Sequence, residues 1–289
     1  MTTSLHPEGP VTQFLTRSWL VIPAGEDAAL YAGARSGADV LLVDLASLAP
    51  EARPVAAART HVFLQTCREN PNHSQLPALF VLLPPIDDHT EALLETLTVA
   101  RPDGFALAGS VDVADIQHLD VLLGVAEAMS GLAQESIRIA AFLSHPPAHP
   151  LGGISRRLVA IGWSAEDLAR LLGATRMHGE GGGLTDTFRQ ARAGVLLTAS
   201  IANLEAIDAA SGIFSSERLA RDCAEAAADG FTGKSAWSPR QVSAINHAFS
   251  PTAELLAEAK AVLARPAVHD IRTMTRARRA IQRSQLQTR

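Results

Sequence analysis

Ser36-Gly37-Ala38-Asp39-Val40-Leu41-Leu42-Val43-Asp44-Leu45 is the stretch on which the fold turns. Residues 40–44 stay apolar on both faces until Asp44. A strand with one wet face alternates polar and apolar, whereas a parallel strand covered by helices outside and side chains inside reads as a nearly continuous apolar run. Seven more such runs occur, at residues 19–22, 79–83, 104–107, 137–143, 158–163, 204–207 and 230–237. Alanine-rich, helix-compatible stretches separate most of them. Eight strands alternating with helices predict a single α/β domain, a closed (β/α)8 barrel with a C-terminal helical extension.

The connections sharpen this expectation. Pro50 stands near the start of one helix, Ser164 is a candidate N-cap for the helix entering at Ala165, and Asp112 or Asp115 begins the helix reaching Met129. The fifth connection, residues 146–155, is rich in proline and glycine and leaves little room for a helix. Gly179 and Gly181 to Gly183 lack phosphate-loop spacing and read as a connector before a helix over 184–202.

The chain has 289 residues, 47% of them hydrophobic, enough for a large core. Its net charge of -5 gives no reason to expect nucleic acid. Cys67 and Cys223 have no metal-ligand or disulfide spacing and are expected as buried free thiols. There is no secretory leader and no run of roughly 20 apolar residues that would span a bilayer, so the expectation is a cytoplasmic protein without membrane partners. Residues 265–289 hold seven arginines against one acid, Asp270, and no aromatics. That composition fits a solvated helix or a segment packed on a neighbouring subunit better than an RNA-binding tail.

Further motifs stand in order: Arg17-Ser-Trp-Leu-Val-Ile-Pro, the 36–45 stretch, Arg101-Pro-Asp-Gly, Ala165-Glu-Asp-Leu, Ala206-Ile-Asp, Gly230-Phe-Thr-Gly-Lys and Pro239-Arg-Gln-Val-Ser-Ala-Ile-Asn-His-Ala-Phe-Ser-Pro. Collinear over 17–264, they resemble the citrate lyase beta-subunit family, within the wider group of HpcH/HpaI aldolases and malyl-CoA lyases. The resemblance implies a TIM barrel over 17–264, a lead segment over 1–16, an arginine-rich extension over 265–289 and a homo-oligomer, with a trimer favoured. It also implies Mg2+ and a carbon-carbon lyase acting on a small oxo acid or an acyl-CoA ester, with a CoA thioester as a ligand. The metal stabilises the enolate left by bond cleavage, and an arginine adds positive charge where the oxyanion develops.

On that resemblance Asp167 is the metal ligand, Asp44 is a candidate catalytic residue, and Ser47, Ser164, Lys234 and Ser238 are candidate substrate-binding residues; Ser144 and His145, after the fifth strand, are candidate catalytic residues of a site that replaces the family's own. The family pattern is broken elsewhere. Its second metal carboxylate ends the fifth strand, yet no Asp or Glu occurs between Glu135 and Glu166, and Ser144 stands at that place. Its catalytic arginine ends the third strand, where this chain reads Phe80-Val-Leu-Leu-Pro-Pro. Two acids that follow the second-strand aspartate are Ala46 and Ser47, the usual lysine is Gly109, and Ile-His-Pro is Trp237-Ser238-Pro239. His145 and His149 beside Asp167 raise a replacement site for a softer metal. Two readings result: a divergent lyase, and a non-catalytic member that binds a ligand or partner. With one carboxylate left, Mg2+ binding is expected to be weak or absent.

Overall fold

The computed structural model describes residues 14–109, 111–180, 182–212 and 215–288, so nearly all of the expected lead segment lies outside the described residues. Eight parallel strands close into one barrel in sequence order: β1 (Ser18–Pro23), β2 (Val40–Asp44), β3 (Ala78–Leu83), β4 (Gly104–Gly109), β5 (Arg138–Leu143), β6 (Leu158–Trp163), β7 (Glu205–Asp208) and β8 (Gly233–Ala236). Around them run α1 (Asp27–Ala34), α2 (Arg53–Glu69), α3 (Thr90–Thr98), α4 (Val113–Met129), α5 (Ala165–Leu172), α6 (Asp186–Ala202), α7 (Ser216–Asp229) and α8 (Pro239–Ala248), followed by α9 (Ala253–Ala264) and α10 (Ile271–Ser284). The barrel is as expected from the eight runs. Its last strand is shorter, because Gly230 takes a left-handed conformation at φ +110° and ends α7 there.

Register assigns every strand residue to a face. Parallel partners such as Val21 and Leu42, or Phe142 and Gly162, share one side. The inner side carries Trp19, Val21, Val40, Leu42, Phe80, Leu82, Ala106, Ala140, Phe142, Ala160 and Ile207. Large rings sit beside missing side chains, since a Cβ on Gly104 would lie 2.2 Å from the Phe80 ring and one on Gly162 would lie 2.6 Å from Phe142. Trp19 stands among Phe14, Phe80 and Phe142 with ring centroids 6.2, 5.1 and 5.6 Å away. This plug fills the lower barrel, as layered side chains do in such folds, and leaves the upper end for ligand.

The fifth connection does run from β5 to β6 without a helix. A buried ion pair secures the sheet there: Arg157, immediately before β6, grips Glu127 of α4 with both terminal nitrogens at 2.6 and 2.7 Å, and its Nε donates to Asp120. Glu127 also accepts from the backbone N–H of Ile137 and of Glu135. Burial alone would push its carboxyl up, but those bonds hold it below the usual carboxylate range.

The C-terminal extension was expected to find acidic partners across a subunit interface. In the structure α10 packs on α9 and covers the barrel end opposite the strand C-termini. Arg283 pairs with Glu205 and donates to the Thr232 carbonyl at 2.6 Å, Arg279 donates to Asn203 Oδ1, and Arg17 donates to the Leu286 carbonyl at 3.2 Å. Those partners stand at or before the starts of β7, β8 and β1, so these arginines are satisfied within the chain. No helix among the described residues is long and apolar enough to cross a membrane.

Arg157→Ala leaves Glu127 charged and buried without its partner. Urea denaturation should show a loss of about 3–5 kcal/mol, whereas a loss under 1 kcal/mol would mean that the pair does not hold the helix-less connection.

Candidate active site at the barrel mouth

The strands end at a cavity of about 520 Å³, a usual size for a small-molecule site. Its walls are Val21, Leu42, Leu82, Pro85, Ala108, Phe142, Trp163, Ala209, Ala210 and Trp237. Polar groups reach it from Asp44, Ser47, Ser164, Glu166, Asp167, Arg170 and Ser235.

Each polar residue has a local reason for its place. Asp44 closes β2 on the inner face and is 8% exposed; its Oδ1 accepts from the Ser47 N–H at 3.0 Å. Ser164 is the N-cap of α5, its Oγ accepting from Asp167 N–H at 3.1 Å, as expected. Asp167 lies in the first turn of that helix, where its charge suits the positive end of the helix dipole, and one turn on it meets Arg170 in an ion pair. Ser235 faces inward on β8, paired in register with Trp19, and is 6% exposed.

Five candidate residues fall outside this cavity. Ser144 follows β5 and is buried, its N–H donating to the Gly109 carbonyl at 2.8 Å, and it does not line the mouth. His145 turns its Nδ1 to the Pro146 carbonyl at 2.9 Å, which makes Nδ1 the protonated nitrogen, and His149 is exposed. Ser238 caps α8 in a reciprocal box with Gln241. Lys234 is the clearest correction. One residue before Ser235, it points to the outer face, where its Nζ lies 2.8 Å from Asp208 and 3.0 Å from Asp222.

Asp208 also takes Arg192 Nε at 2.9 Å and Trp163 Nε1 at 2.7 Å. Burial would raise its carboxyl, but Lys234 and Arg192 outweigh that and hold it below the ordinary range, while Lys234 in turn is raised. This network walls a second cavity of about 930 Å³ outside the barrel, which shares Trp163, Glu166, Ala209 and Ala210 with the mouth. Its cations are largely occupied: Arg192 also pairs with Asp229, Arg189 with Asp186, and Arg218 donates to the Gly182 carbonyl.

The residues present do not suit the family's magnesium. Mg2+ is usually held by one or two protein carboxylates with water and substrate oxygens completing an octahedron; here Asp167 is paired with Arg170, and the end of β5, which carries the second carboxylate in the family pattern, presents Phe142 to the cavity. Nor do His145, His149 and Asp167 come together as a replacement site, since no three His, Cys, Asp or Glu side chains among the described residues are grouped to hold a metal. Gly109, at the family's lysine position, has φ +99°, a conformation that favours glycine.

Trp163, Trp237, Arg170 and Ser235 were not singled out from the sequence. Two of them carried a usable signal: Arg170 stands three residues after Asp167 on a helix, and Ser235 shares the inner parity of β8.

The fold is a (β/α)8 barrel with a cavity at the strand C-termini, where such barrels carry their sites. No family model matches the sequence. A citrate lyase subunit beta-like protein of Mycobacterium tuberculosis is 29% identical over 252 residues, covering 85% of this chain and 83% of that protein. Citrate lyase subunit beta of Haemophilus influenzae is 25% identical over 255 residues, covering 86% and 84%. Among solved structures, CitE of M. tuberculosis in complex with magnesium, acetoacetate and coenzyme A superposes with a TM-score of 0.65 at 23% identity, covering 93% of this chain and 98% of that one. RipC of Yersinia pestis gives 0.62 at 22%, covering 83% and 97%. Over some 85% of its length the chain is thus similar to citrate lyase beta subunits, the family its motifs resemble.

Asp208 makes stability depend on acid. Its carboxyl is depressed in the native state, so its contribution is complete above the unfolded value of about 3.9 and is lost as pH falls through the lower native value. Asp208→Asn should lose about 3–5 kcal/mol at pH 7 and show a flatter stability profile below pH 4 than the parent protein. Parallel profiles would contradict the assignment.

Proposed function

We propose that this protein is a ligand-binding member of the citrate lyase beta-subunit family that has lost metal-enolate lyase chemistry. The observation that carries the reading is the ionic state of the mouth: Asp167, the remaining metal carboxylate of the family pattern, is engaged by Arg170. Leu82 and Phe142 supply apolar wall at the ends of β3 and β5. Removing preorganised charge from an enolate-forming site costs orders of magnitude in rate, and one paired carboxylate is a poor Mg2+ ligand.

Relatives support the opposing reading. The M. tuberculosis protein has been solved with magnesium, acetoacetate and coenzyme A, and a divergent lyase would use Asp167 toward an oxo acid or acyl-CoA ester. Titration calorimetry with Mg2+, beside an assay of acetyl-CoA and glyoxylate condensation, separates the two. The proposal expects no saturable Mg2+ binding below 1 mM and no turnover above background. Sub-millimolar affinity that disappears in Asp167→Ala would refute it.

A homo-oligomer, with a trimer favoured by the resemblance, belongs to this proposal. Its support is an apolar stripe at one-turn spacing on α4, Val121, Val125 and Met129, exposed by 66, 55 and 70%. Light scattering at micromolar concentration should give a mass well above the 30.5 kDa chain, and a monomer would count against it.

A further inference from the structure

The mouth of the barrel is negatively charged, and its charge selects a class of ligand. Three carboxylates line it, Asp44, Glu166 and Asp167, against one guanidinium, Arg170. Arg170 pairs with Asp167 from a largely solvent-exposed side chain, and Asp44 and Glu166 have no cation among the ion pairs of the described residues. Lys234, the nearest buried cation in sequence to the mouth, is turned to the outer face and held by Asp208 and Asp222.

Asp44 is placed to receive a hydrogen-bond donor. It is only 8% exposed, lines the cavity from the inner face, and the one described hydrogen bond to its carboxylate, from the Ser47 N–H, goes to Oδ1. Ser235, also inward and 6% exposed, adds a hydroxyl to the same cavity. The remaining wall is apolar, from Val21, Leu42, Leu82 and Phe142 to the half-exposed Trp237. A carboxylate ligand entering such a site would be desolvated beside like charges with no fixed cation to meet it. An ammonium or hydroxyl on an apolar body would find an acceptor at Asp44 and burial for the rest.

We infer that the mouth binds small apolar molecules with a donating head group, primary amines above alcohols, and excludes oxo acids. The inference rests on the proposed loss of metal chemistry and goes further by reversing the charge of the preferred ligand.

The test follows intrinsic tryptophan fluorescence, since Trp163 and Trp237 line the cavity, during titration with 2-phenylethylamine, 2-phenylethanol and phenylacetate. Each is run with EDTA and again with Mg2+. The expected result is saturable binding of the amine, at least tenfold tighter than phenylacetate in both conditions, with the alcohol between them. Asp44→Asn keeps the oxygen that accepts from Ser47 and removes the charge. It should weaken the amine about tenfold and leave the alcohol within threefold. Phenylacetate equal to or tighter than the amine in EDTA would overturn the ligand class while leaving the non-lyase reading intact. Carboxylate binding that appears only with Mg2+ would overturn that reading as well. An amine affinity unchanged in Asp44→Asn, or no saturable response to any of the three, would also defeat the inference.

Discussion

Pleat parity in a closed parallel barrel is the constraint on which the rest of this molecule depends. Successive side chains alternate between an interior that must be filled and an exterior that must be covered. Here the lower interior is taken by Trp19 and three phenylalanines, so only the last inner positions of each strand can meet a ligand. Parity then decides chemistry residue by residue. Asp44 and Ser235 fall inside and line the mouth, while Asp208 and Lys234, register partners on adjacent strands, fall outside and become structure. A lysine one residue from the site is thereby excluded from it.

The outer face shows what that exclusion does energetically. Lys234, Asp208, Arg192 and Asp222 form a network in which the two most buried members, Lys234 and Asp208, have ionised states stabilised by their partners against burial. Similar logic holds at the helix-less fifth connection, where Arg157 and Glu127 share a bidentate contact. Charges removed from water this completely favour one arrangement of partners and penalise others. They fix the strands whose ends carry the mouth, yet they contribute no ligand contacts of their own at the barrel interior.

The fold was legible because continuous apolar runs such as 40–44 report burial on both faces, and because caps at Ser164 and Asp112 announce their helices. The missing fifth helix was legible from its prolines and glycines. The site was legible only in part. Motif position led to Asp44, Ser47, Ser164 and Asp167, all of which line the cavity. It also led to Lys234 and Ser238, which do not line that cavity, because position along the chain says nothing of face or of capping. Trp237 escaped notice because its exposure at the rim is held by Gln241, whose Oε1 accepts its N–H at 2.8 Å while Nε2 reaches the Ser211 carbonyl at 2.9 Å. That is a tertiary arrangement with no local signature.

Loss of a metal site and gain of a different ligand preference are physically coupled. A cation that neutralises strand-end carboxylates sets the sign of the local potential, so when the donor set no longer suits it, the carboxylates that stay behind dominate the cavity. Asp44 and Glu166 are such residues here. Apolar groups at Leu82 and Phe142 lower the local dielectric, which strengthens the residual field and raises the cost of bringing in an anion. On the proposed reading, a barrel that keeps its mouth open under those conditions changes its electrostatic selectivity together with its reactivity.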